Sequence, residues 1–317
     1  MTEKYPALKY KNYSLEKDGT LTVKLNSWQN YRDEVEKFKK YAYIWRGQRC
    51  DWPLIPLFYR EYDDKNGKLQ HLLNDFKKSV PDETGLDSFF QMMRRTKKFE
   101  KIFNEYYEII KPSNDKDKNV NKDKYKEDFI ADIYWAIGQH YGLKTPLLDW
   151  TEDPFWAAFF AFRKQDPSNN NTYRYVLGLN KKTGRLLHIQ EEDKKERYIE
   201  FLPGLGSIQE ILEEEDSKHE KFKMMFERIK NQKGLFTRTL KKECIERHVS
   251  RCYKKFKEKD GDEFILLIKI AILKDNRKDF LEYLEKEKEI NYKKMYPDLQ
   301  GAALHCNLKL ESDNFDK

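Results

Sequence analysis

The chain has 317 residues, enough for one large domain or two small ones, and its 38% hydrophobic and 15% aromatic content is enough for a sizeable core, which excludes a disordered chain. Against 55 Asp and Glu, 62 Lys and Arg leave a net charge of +7, spread along a highly charged chain: an anionic partner is allowed but not required. No apolar run approaches the roughly 18 to 20 residues of a membrane span and the first residues lack a signal-peptide core, so the expectation is a cytoplasmic protein without a membrane partner.

The first clear element is a helix. Behind Ser27, a good N-cap, Trp28, Tyr31, Val35 and Phe38 recur at spacings of three and four and form one apolar stripe. It leads into "YAYIWRGQ", residues 41 to 48, whose aromatic and β-branched residues predict a short strand ending at Arg46-Gly47. "DWPLIPLFYR" follows, with two prolines three apart, and suits an irregular packed segment. A helical region is expected over roughly residues 68–110. The stretch "KPSNDKDKNVNKDKYKED" has Val120 as its lone aliphatic residue, so it cannot bury a face and reads as a mobile insertion.

Residues 129–139 return to helical spacing and deliver "HYGLKTPLLDWTEDPFWAAFFAF", beginning at His140. Here "TPLLDWT" predicts a strand that brings Asp149 and Thr151 to a strand-to-helix turn. Asp153-Pro154 is a strong helix start, with Asp at the N-cap and Pro at N1. The helix "PFWAAFFAF" is apolar all round and must be buried.

Further along, "YRYVLGLN", "GRLLHIQ" and "FILLIKIAI" predict strands, and "NRKDFLEYLEKEKEI" predicts a helix that buries Phe280, Leu281 and Leu284. "DLQG" at Asp298 reads as a capped turn. Sheet and helix interleave, so the fold class expected is α+β. One main domain is expected over residues 25–310, holding the mobile insertion at about 111–127, with an N-terminal extension at 1–24 and a C-terminal tail at 311–317. Four cysteines, Cys50, Cys244, Cys252 and Cys306, show neither a CxxC pair nor metal-ligand spacing with His, so reduced thiols and no metal site are expected.

Local physics leaves two readings of the residues that draw attention. Asp149 suits a carboxylate accepting backbone N–H bonds at a turn as well as a working acid. His140, ahead of Tyr141-Gly142, suits a hydrogen-bonded structural side chain as well as a catalyst.

"WRGQ" at 45–48, "DWPLIPLFYR" at 51–60, the block from His140, "RIKNQKGLFT" at 228–237 and "YPDLQGAALH" at 296–305 stand in one order, and that order resembles the FRG domain family. Trp45 takes the place of the Phe for which the family is named, and Lys144-Thr145-Pro146 stands where the family often reads Pro-Thr-Arg. FRG domains are distantly similar to ADP-ribosyltransferases and are associated with bacterial toxin and phage-defence systems. The resemblance therefore implies a mixed or antiparallel β core flanked by helices, NAD as substrate, no metal, and a macromolecular acceptor, RNA, DNA or protein. It also allows an antitoxin or inhibitor as partner.

On that pattern Arg46 matches the first motif, Asp149-Trp150-Thr151 the second and Gln232 the third. A pyrophosphate asks for a charge-assisted, bidentate donor such as Arg46, and the nicotinamide carboxamide for exposed backbone such as that of Gly47 beside Gln48. Aromatic packing from Trp45, Tyr141 or Trp150 suits the nicotinamide ring. Transferases of this kind usually carry Glu at the third motif; Gln232 keeps the hydrogen bond but cannot act as a base, so either the acceptor is already nucleophilic, or another group such as Asp149 or His140 supplies basicity, or the site binds without turning over. Two other readings stay open: a non-catalytic nucleic-acid or nucleotide-binding module, and an NAD glycohydrolase.

Overall fold

The computed structural model describes residues 13–57, 135–136, 138–139, 142–165, 171–181, 199–202, 230–239, 244–260 and 265–313. In chain order these hold β1 (Tyr13–Leu15), β2 (Thr20–Leu25), α1 (Trp28–Phe38), β3 (Tyr43–Gln48), β4 (Leu147–Thr151), α2 (Pro154–Phe162), β5 (Tyr173–Asn180), β6 (Ile199–Leu202) and β7 (Gly234–Thr239). After them come α3 (Ile245–Asp260), β8 (Leu267–Leu273), a 3₁₀ turn at Lys274–Asn276, α4 (Arg277–Lys288), α5 (Tyr292–Met295) and α6 (Leu299–Asp313). The expected helical region at 68–110, the insertion at 111–127 and the strand "GRLLHIQ" lie outside the described residues.

All eight strands form one mixed sheet in the order β1-β2-β8-β5-β3-β4-β7-β6. Every neighbouring pair is antiparallel except β2 and β8, which run parallel from Thr20 opposite Leu267 to Leu25 opposite Ile272. An α+β sheet flanked by helices is what the sequence predicts. The boundary differs: β1 and all of β2 but Leu25 fall within the stretch expected as an N-terminal extension, yet they pair into the sheet, because Leu21 and Val23 alternate into the core.

Alternation along the strands sends side chains to two cores. One face carries Leu21, Val23, Trp45, Val176, Ile268 and Ile270 and packs against α1, α2 and α4. The other carries Ile44, Trp150, Leu177, Leu179 and Leu267 and packs against Leu54 and α3. α2 forms as its sequence dictates: the Asp153 side chain accepts from Phe155 N–H at 2.9 Å and Pro154 fills the first turn. Phe155, Trp156, Phe159 and Phe162 are all buried, and each such side chain contributes about 1.5–3 kcal/mol. Arg277 of α4 closes the other end of α2, donating from Nε to the Phe162 carbonyl at 2.9 Å and from Nη2 to that of Arg163 at 3.2 Å. Tyr31 Oη donates to the Pro154 carbonyl at 2.6 Å and fixes α1 on α2.

α4 buries Phe280, Leu281 and Leu284 as predicted. The "DLQG" stretch is not a turn but the start of α6: Asp298 Oδ1 accepts from Gly301 N–H at 2.9 Å, the bond of a helix N-cap.

Candidate functional site

The site grows from a split in the sheet. β3 pairs with β5 along its whole length, from Tyr43 opposite Asn180 to Gln48 opposite Tyr175. With β4 it shares one register pair, Trp45 opposite Thr151. β4 pairs instead with β7, from Leu147 opposite Arg238 to Thr151 opposite Gly234. The main-chain carbonyl of Asp149 therefore lacks a β3 amide partner and is met by a side chain: Arg46 Nη1 donates to it at 2.7 Å. The same nitrogen lies 3.7 Å from Asp149 Oδ2. Arg46 sits two residues inside the end of β3 rather than at its end, and Asp149 lies mid-strand rather than at the strand-to-helix turn.

Asp149 is held from its other side by a relay absent from the sequence reading. Gln139 Nε2 donates to Asp149 Oδ1, and Thr145 Oγ1 donates to Gln139 Oε1, so the amide is oriented by one acceptor and one donor. Thr145 is buried, while the Asp149 side chain is 58% exposed and that of Arg46 17% exposed. The site thus presents an oriented carboxylate to solvent beside a mostly sequestered guanidinium. A signal was present: Gln139 closes a stretch, residues 129–139, that is apolar but for Asp132 and the Tyr134 hydroxyl, and Thr145 lies four residues before Asp149.

Thr151 and Gln232 come together through a main-chain bond. Thr151 Oγ1 donates to the Gln232 carbonyl at 2.6 Å and accepts from Asp153 N–H at 3.1 Å. Gln232 occupies the turn before β7, which Glu152 N–H reinforces by donating to the Lys233 carbonyl at 3.0 Å. Asp149 and Thr151 are two residues apart on one strand, about 7 Å, so the three motif regions meet at one end of the sheet. The Thr151 hydroxyl, however, is buried and both of its bonds serve the turn and the start of α2.

The residues expected around nicotinamide are placed differently. Trp45 and Trp150 are both buried, in the cores on opposite faces of the sheet, and Trp150 Nε1 donates to Thr237 Oγ1 at 2.8 Å. Gly47 faces α2, where an added Cβ would lie 1.9 Å from the Ala157 carbonyl oxygen. Its role is to let strand and helix touch. Gln48 is buried and donates from Nε2 to the Trp52 carbonyl at 2.8 Å, fixing the loop after β3. His140 and Tyr141 lie outside the described residues. Among the described residues no group of His, Cys, Asp or Glu is arranged to hold a metal ion, and no helix is long and apolar enough to cross a membrane.

The arrangement defines an α+β protein with a guanidinium and a carboxylate joined where two strands of the central sheet part. Residues 41–170, which span β3, β4 and α2 and so contain both Arg46 and Asp149, match the family model of the FRG domain. The blocks at 228–237, with Gln232, and at 296–305 lie beyond that match. No curated protein and no solved structure matches the chain.

Proposed function

We propose that the chain is an NAD-dependent ADP-ribosyltransferase that modifies a macromolecular acceptor, nucleic acid or protein, in the manner of a bacterial toxin or anti-phage effector. The observation that carries this reading is the contact of Arg46 with Asp149 at the split between β3 and β4, beside the turn that holds Gln232. The residue types fit the substrate: a guanidinium with some exposed surface for the pyrophosphate, and an exposed, oriented carboxylate for the ribose hydroxyls. The C1′–N bond of NAD breaks, nicotinamide leaves with the bonding electron pair, and an acceptor nucleophile bonds to C1′ and loses its proton. With an amide at Gln232, this reading assigns Asp149 to receive that proton.

Gln232 also favours a second reading, a non-catalytic module that binds a nucleotide or nucleic acid, because binding needs no base. One experiment separates these readings: incubate the purified protein with labelled NAD and cell extract, then treat with nuclease or protease. Label lost with nuclease or with protease names the acceptor class, and free ADP-ribose without labelled macromolecule indicates a glycohydrolase. Asp149→Asn, which leaves the Arg46 contact with the main chain in place, should abolish labelling while the protein stays folded. Folded wild-type protein that releases no nicotinamide and labels nothing would replace the transferase reading with the binding module.

A further inference from the structure

Helix α6 is apolar on two opposite faces. Its inner face sets Gly301, Leu304, His305 and Leu308 against the core. Gly301 allows the close crossing with α5, since an added Cβ would meet the Tyr296 carbonyl oxygen at 1.8 Å. The outer face carries Leu299, Ala303, Cys306 and Leu310, all exposed, with Leu299 at 89% and Leu310 at 60%. At 100° per residue these four fall within an arc of about 60° and run for about 16 Å along the axis. Their spacings of four, three and four are those of a heptad seam.

Ala302 and Asn307 flank this stripe, so between Leu299 and Leu310 this face carries no charge in a chain that is 37% charged, and Asp313 follows on it at the helix end. Lys309 and Glu311, which border the stripe, are paired within the molecule. Lys309 Nζ donates to Glu285 Oε2 at 2.5 Å, and Glu311 Oε2 accepts from Arg277 Nη2 at 3.0 Å.

The stripe reads the same from either end, in size (large, small, small, large) and in spacing. We propose that α6 is a homodimer interface, in which the same face of a second copy of the chain packs antiparallel about a two-fold axis. Leu299 then lies against Leu310 of the partner subunit, and Ala303 against Cys306 of the partner subunit, with the small residues at the centre letting the helices approach. Isologous pairing requires this kind of self-complementary surface. On the flanks, Gln300 faces Asn307 of the partner subunit and Lys309 faces Ala302 of the partner subunit, so like charges do not meet. A seam of four positions is smaller than a standard stable interface, so association is weak and concentration-dependent.

Sedimentation velocity of the full chain, from about 1 to about 100 µM, should show a monomer passing into a dimer. L299E/L310E places like charges opposite each other and should weaken association at least about tenfold, with an unchanged thermal melt because both side chains are exposed. L299K/L310E places opposite charges together in the antiparallel arrangement and should recover much of the association, in a salt-sensitive form. A wild-type chain that stays monomeric throughout, or a dimer indifferent to L299E/L310E, overturns the interface. Equal dissociation of both double variants overturns the antiparallel pairing.

Discussion

Arg46 holds Asp149 chiefly through the main chain: the 2.7 Å bond from Nη1 goes to the Asp149 carbonyl, whereas the carboxylate Oδ2 stands 3.7 Å away on a side chain 58% exposed. These two contacts differ in worth. An exposed ion pair contributes about 0–1 kcal/mol, while a charge-assisted hydrogen bond contributes about 1.5–3 kcal/mol. Arg46→Ala should therefore destabilise the protein by about 1.5–3 kcal/mol, and Asp149→Asn by less than about 1 kcal/mol. Urea denaturation of both variants checks the asymmetry; equal losses would mean that the carboxylate is the principal partner.

Gly47→Ala should be severe. The added carbon would sit 1.9 Å from the Ala157 carbonyl oxygen and 2.7 Å from the Ala161 amide nitrogen, both backbone atoms of a buried helix that cannot turn aside. Gly178→Ala instead meets the Trp45 ring, at 2.7 Å, which has some freedom to tilt. The prediction is a loss above about 3 kcal/mol, or no soluble protein, for Gly47→Ala, and about 1–3 kcal/mol for Gly178→Ala. Comparable melting temperatures for the two would refute this account of the β3–α2 contact.

The contrast at Gly47 shows where sequence reasoning reached and where it stopped. Helices α1, α2 and α4 were legible because apolar spacing and caps are local, as at Ser27 and Asp153. Strands β3, β4, β5 and β8 were legible from their β-branched and aromatic runs. Partnership was not: nothing local to β2 shows that it lies parallel to β8, or that β3 and β4 part after one pair. The site inherits that limit. Arg46 and Asp149 could be named from motif position, but the bond between a guanidinium and a strand carbonyl exists only because of the split. Trp45 and Trp150 look like ligand-facing aromatics in sequence, and pleat alternation turns them into the two cores instead. Asp298 looks like a turn residue because a cap and a turn use the same side-chain chemistry, and only the 15 residues that follow decide between them.

Glu246 gives a pH signature. Its Oε1 accepts from Leu54 N–H at 2.8 Å and its Oε2 is sealed from solvent. Burial raises its carboxyl above the ordinary value of 4.5, outweighing the lowering by backbone donors, Lys269 and Cys244. A group raised in the folded state adds stability below its unfolded value and loses that contribution as pH climbs through the folded one. Glu246→Gln keeps an acceptor for Leu54 without a charge to bury. It should melt higher than wild type at about pH 8, with the difference closing toward about pH 4. A variant that melts lower than wild type at the alkaline end would show that Glu246 is stabilising as a carboxylate.

Glu289 ends α4 with φ of 54°, in the left-handed region that an L side chain enters at a cost of about 1–2 kcal/mol. Ile290 N–H donates to the Leu284 carbonyl at 2.8 Å across this cap, so the conformation is fixed by the helix end and by the burial of Ile290. The Glu289 side chain itself is 82% exposed and reaches Lys294 Nζ at 3.1 Å, a pair worth at most about 1 kcal/mol. Glycine removes the strain but gains freedom in the unfolded chain, about 0.4–1 kcal/mol of opposing effect. The net expectation for Glu289→Gly is a stabilisation of up to about 1 kcal/mol at high salt, where the ion pair is screened, and a smaller gain at low salt. Thermal melts at the two ionic strengths test this, and a loss of stability at both would mean that the Lys294 contact outweighs the backbone strain.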